Sequence, residues 1–123
     1  MYKNMNTFRT VVPVKFFIVG NSEPVREWLR LECSSADRLR IGKDIRLVQT
    51  NWPIGMPTCR PLGEGLFEVR SDLEGRRIAR VFFGFVDGTI YILHAIIKKT
   101  QKTPVGDLAL ARTRLRDAKK GRI

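Results

Sequence analysis

Soft metal ligands are scarce in this 123-residue chain, which has two cysteines and one histidine. Cys33 and Cys59 are too few for a disulfide scaffold, and neither has a Cys or His partner at zinc spacing. They read as reduced thiols of a cytosolic protein. The chain also has no G-x-x-x-x-G-K-[ST] phosphate loop, no G-x-S-x-G elbow and no carboxylate pair at metal-ligand spacing. These absences argue against a P-loop nucleotidase, an α/β-hydrolase and a metal-dependent nuclease, so no metal and no cofactor is expected. Long apolar runs are missing too. The stretch from Val11 to Val19 is broken by Pro13 and Lys15, which suits neither a signal peptide nor a membrane span. The expectation is a cytoplasmic protein with no membrane partner.

Acidic residues are in short supply. Twelve Asp and Glu face 23 Lys and Arg, a formal net charge of +11 that points to a polyanionic or acidic partner. The excess is uneven: residues 1–53 carry +4, residues 54–97 are neutral, and residues 98–123 carry +7. With 43% hydrophobic residues there is enough apolar material for one ordinary core. No repeat or low-complexity tract divides the chain, which reads as a single domain over 1–123.

Periodicity predicts the elements. Val14–Val19 is β-prone and ends at Gly20-Asn21. Ser22, Glu23 and Pro24 then open a helix whose apolar face carries Val25, Trp28 and Leu29. A second helix, from about Ala36 to about Asn51, is set by Ile41, Ile45, Val48 and Trp52, and is expected to pack beside the first as a hairpin. Trp28 and Trp52 read as packing residues. Pro53 through Gly65 reads as a loop. Leu66–Ser71, Arg76–Val86 and Thr89–Ile97 form an antiparallel meander, turning at Asp72–Gly75 and at the two-residue hairpin signal Asp87-Gly88. After Pro104 an apolar stripe of Val105, Leu108, Ala111, Leu115 and Ala118 predicts a C-terminal helix flanked by Arg112, Arg116 and Lys119. The fold class is therefore α+β.

Simple alternation from the Asp87-Gly88 turn pairs Val86 with Thr89 and Phe82 with Leu93. It sets Ile78, Arg80, Phe82, Tyr91, Leu93 and Ala95 on one face. Val81, Phe83, Phe85, Ile90, Ile92, His94 and Ile96 occupy the other. Arg80 is then the one charge on its face, serving either a structural ion pair or a phosphate clamp, since a guanidinium fork suits both. Whether Arg70 shares that face depends on the loop: a two- or four-residue turn separates the two arginines, and a three-residue bulged loop unites them. His94, alone on an apolar strand, is more often a core residue than a general base, and no carboxylate neighbours it in sequence. At the end of the last strand, Lys98, Lys99 and Lys102 form a basic lip able to hold phosphates, and consecutive strand positions allow one of the first two to face a given pocket.

Three stretches, Pro61–Arg70, Arg80-Val-Phe-Phe and Leu93–Pro104 with its Lys-Lys-Thr-Gln-Lys-Thr-Pro, together resemble the RelE/ParE toxin superfamily, in particular its phage-derived HigB-like branch. The resemblance runs from about Val14 to about Lys119. It implies an N-terminal helix hairpin on a twisted, mainly antiparallel sheet with a C-terminal helix. It also implies a type II toxin that enters the ribosome, cuts mRNA by 2′-OH transesterification without a metal, and is neutralised by a helix-turn-helix, HigA-like antitoxin. Arg70, Arg80, Lys98 and Lys99 match the catalytic cations; Lys102, Arg112, Arg116 and Lys119 are expected to bind RNA. Two departures stand out: Val105 and Gly106 occupy the place of an aromatic residue at the start of the last helix, and Glu68 stands where a lysine is expected. On the same fold, a ParE-like inhibitor of DNA gyrase that cuts no nucleic acid, or an inactive phage remnant, is the alternative.

Overall fold

Alternating apolar strands that bury both faces must be covered twice, and the computed structural model, which describes residues 11–99 and 102–121, shows that arrangement. Its elements are β1 (Val14–Phe16), α1 (Pro24–Leu31), α2 (Ser35–Asn51), β2 (Cys59–Gly63), β3 (Leu66–Asp72), β4 (Ile78–Val86), β5 (Thr89–Lys98) and α3 (Val105–Lys119). One five-stranded sheet runs in the order β1-β5-β4-β3-β2. β1 lies parallel to β5 and the other neighbours are antiparallel. The α+β class is as the periodicity indicates, but the helix pair does not open the fold: β1 precedes it. Each helix also rests on the sheet, α1 over β1 and β5, α2 over β3.

Val25 and Leu29 of α1 and Ile41 and Val48 of α2 pack on Val69, Val81, Phe83, Ile90 and Ile92. Beyond the sheet, Ala111, Leu115 and Ala118 of α3 pack on Leu66, Phe82, Leu93 and Ile96. Fully burying each large side chain contributes about 1.5–3 kcal/mol, so both layers hold the sheet. Trp52 closes the first layer edge-on to Phe67, with ring centroids 5.1 Å apart. Arg77 ties the β3–β4 loop to the start of α2 through two bonds to Asp37, of 2.7 and 3.1 Å, and this pairing holds the Asp37 carboxyl below its ordinary range.

Three expectations are corrected. The 53–65 segment contains β2, which its prolines and glycines concealed; Pro61 is tolerated because β2 is an edge strand and its register shifts between Pro61 and Gly63. The first strand is shorter than expected, ending at Phe16, with an isolated bridge between Val19 and Ser22. The third correction matters most. Asp87 and Gly88 both have positive φ, as the tight hairpin requires. Yet a β-bulge opposite Phe82 and Phe83 inserts Leu93, so Phe82 pairs with His94 and Arg80 with Ile96. His94 and Ile96 therefore lie on Arg80's face, and Ala95 lies on the opposite one.

Candidate active site

The face beneath the start of α3 gathers the polar side chains. In register, Glu68, Phe82 and His94 form one row across β3, β4 and β5; Arg70, Arg80 and Ile96 form the next; Asp72, Ile78 and Lys98 the third. The β3–β4 loop, residues 73–77, has an odd number of residues and unites Arg70 and Arg80 on one face. Its 3-10 turn, Glu74–Arg76, includes Gly75 at φ 73°.

Arg80 is completely buried, and its Nη1 donates to Glu68 Oε1 at 2.9 Å. Glu68 is 1% exposed, and its second oxygen accepts from Thr103 Oγ1 at 3.2 Å, just ahead of α3. The contact is an ion pair, and the Arg80 side chain is 0% exposed. The glutamate that departs from the resemblance is its partner. A buried carboxylate and guanidinium tolerate burial only when paired and hydrogen-bonded, as these are.

One row along, His94 Nε2 lies 2.7 Å from Asp107 Oδ1, with side-chain exposures of 18% and 27%. Its ring stacks on Phe82, with centroids 6.0 Å apart and planes 15° apart. A carboxylate oxygen accepts, so Nε2 is the donor and Nδ1 is left able to take a proton. Sequence reasoning missed Asp107 altogether, and the bulge hid the side to which His94 points. The one available signal for Asp107 was an acid in the first turn of a helix, where the dipole favours it.

Cations line the rim. Arg70, 37% exposed, lies 3.8 Å from the open Asp72, a contact of little strength. Lys98 shares the face of Arg80; Lys99 lies past the strand end, and both are exposed, as is Lys102. The remaining expected RNA contacts divide. Arg112 donates to the carbonyls of Leu62 and Gly63 at 2.7 and 3.0 Å, gripping the β2–β3 hairpin. Arg116 and Lys119 are exposed, and Lys119 lies about 18 Å along the helix from Asp107 at 1.5 Å per residue. Arg114 takes the Leu93 carbonyl at 2.8 Å and covers the Phe17 ring, securing the bulge, and burial lowers its pKa. Cys59 is buried and its thiol is pushed up to about 11, by burial first and the Glu68 charge second, so it is no nucleophile near neutrality.

Among the described residues no group of three or more His, Cys, Asp or Glu could hold a metal, and no helix is long and apolar enough to cross a membrane. Residues 27–116 match the model of a family described as phage derived protein Gp49-like. No curated protein and no solved structure matches the chain.

Proposed function

The chain belongs to the phage-derived Gp49-like family, a family of RelE-like toxins, and on that premise we propose that it is the toxin of a type II toxin–antitoxin pair, an mRNA endoribonuclease working on the ribosome. The observation that carries the chemistry is the His94–Asp107 pair, partly open on the sheet face that also carries Arg70 and Lys98. His94 Nδ1 takes the proton of a ribose 2′-OH as its oxygen attacks the adjacent phosphorus. The P–O5′ bond breaks, and the departing oxygen takes a proton from water, leaving a 2′,3′-cyclic phosphate and a 5′-hydroxyl, while the imidazolium returns its proton to the hydroxide so formed. Asp107 fixes the imidazole and its tautomer, while Arg70 and the lysines offset charge developing on the phosphate oxygens. Arg80, through Glu68, positions β3 and the Thr103 end of α3. No metal or cofactor takes part. The partners on this reading are the ribosome with its mRNA and a small helix-turn-helix antitoxin of the HigA-like kind, in the cytoplasm.

The burial of Arg80 supports a second reading, a ParE-like inhibitor of DNA gyrase, because it removes one exposed phosphate clamp from the face. Induction in growing cells with mapping of mRNA 5′ ends separates the two. New transcript ends that fall by about 10²–10⁴-fold with His94→Ala support cleavage, the range general acid–base groups contribute. Growth arrest without new ends, or ends unchanged by His94→Ala, overturns it; no arrest at all marks an inactive remnant.

A further inference from the structure

A second cleft opens beside the candidate active site, at the edge of the sheet. β2 begins at Cys59 against Val69, so the outer edge of β3 beyond that point is not covered by a paired strand. There Arg40 and Asp44 of α2, Met56–Thr58 of the connecting loop, and Arg60, Arg70 and Asp72 surround about 300 Å³. Arg70 belongs both to the cleft and to the sheet face that carries Arg80.

The charges in this cleft are unevenly engaged. Arg40 donates to Asp44 Oδ2 at 3.2 Å, and the same oxygen accepts from Ser71 Oγ at 2.6 Å. Arg70 has the weak contact to Asp72. Arg60, exposed on the edge strand and in register with Glu68, has no side-chain hydrogen bond or ion pair among the described residues. Glu68 also borders the space, but its charge is consumed by Arg80. One wall is therefore cationic with a guanidinium to spare, and the other, at Met56 and Pro57, is apolar and exposed. A flat apolar body with an anionic tail suits that pairing: a nucleotide, its base on Met56-Pro57 and its phosphate between Arg60 and Arg70.

We propose that this cleft binds one nucleotide of the RNA strand, three strand spacings across the sheet from the bond cut at His94. The inference rests on the ribonuclease reading and shares Arg70 with it, while Arg60, Met56 and Pro57 belong to the cleft alone. Arg60, three strands from His94 in the same row and about 14 Å away at ordinary strand spacing, binds substrate and takes no part in proton transfer.

The test uses the full chain and two measurements. In cleavage on programmed ribosomes, Arg60→Ala is expected to raise KM several-fold with kcat unchanged, and Arg60→Lys to restore part of the loss; His94→Ala is expected to lower kcat. With free RNA methylated at every ribose 2′-oxygen, which cannot be cut, the slope of log affinity against log salt is expected to fall by about 0.7 for Arg60→Ala, one phosphate contact on a single strand. A 4-thiouridine in that RNA is expected to photocrosslink within residues 56–60. If Arg60→Ala changes neither KM nor the salt slope while the wild-type chain still cuts, the cleft assignment is overturned and the ribonuclease reading stands. If the wild-type chain never cuts, that reading falls, and the slope and crosslink alone decide whether the cleft takes a nucleotide.

Discussion

Glu68 links two elements through one carboxylate, holding Arg80 of β4 with one oxygen and Thr103 with the other. Removing it strands a buried guanidinium, which costs about 3–5 kcal/mol. Glu68→Ala should therefore lower the urea midpoint steeply, whereas Glu68→Leu combined with Arg80→Met, which removes both charges and keeps apolar volume, should recover most of the loss. If the double variant were as unstable as Glu68→Ala, an unpaired charge would not be the cause. This pair also shows the limit of reading residues from sequence. Arg80 amid apolar neighbours was legible as a charge needing a partner, but that partner lies twelve positions earlier and meets it through the odd length of a loop whose turn chemistry permitted several counts.

Elements fared better than registers. The α1, α2 and α3 stripes, the meander and the Asp87-Gly88 turn were all legible, because 3.6- and 2-residue periods and paired positive-φ positions leave direct marks on a sequence. β2 was not, since Pro61 and its glycines carry the marks of a loop, and the Leu93 bulge was not, since nothing in an apolar run of Ile-Leu-His-Ala reveals one inserted residue. Gly84 was equally silent. It pairs with Tyr91 under α3, and a Cβ there would overlap Leu115 Cδ1. Gly84→Ala should cost about 1–3 kcal/mol, as overpacking does, and tilt α3 away from the sheet. Thermal unfolding checks the first. Loss of the His94–Asp107 contact, followed by the imidazole resonances in NMR, checks the second; unchanged resonances would show that Leu115 yields without moving the helix.

At the scale of the molecule, the charge tally and the fold agree only partly. Residues 54–97 are neutral because five acids balance five cations, and Arg80 pairs within the segment with Glu68 while Arg77 pairs outside it with Asp37. The excess after residue 97 divides between the lip at Lys98, Lys99 and Lys102 and helix positions such as Arg112 and Arg114 that hold backbone carbonyls. Fewer cations are free for RNA than the formal charge suggests. Lys98→Ala with Lys99→Ala should reduce the salt slope of RNA binding by about 1.4, at about 0.7 per phosphate contact, and Arg112→Ala should leave the slope nearly unchanged while lowering stability. An equal slope change for Arg112→Ala would mean that its carbonyl bonds yield to phosphate.

Thr103 and Asp107 follow all five strands in chain order, yet each completes a polar group whose other half lies on the sheet. During synthesis β5 must emerge before β1 can find its parallel partner, and α3 must emerge before His94 and Glu68 gain theirs. A nascent chain that has exposed only its strands thus holds an unassembled site, and under the proposed ribonuclease reading it would stay inert toward the ribosome still making it.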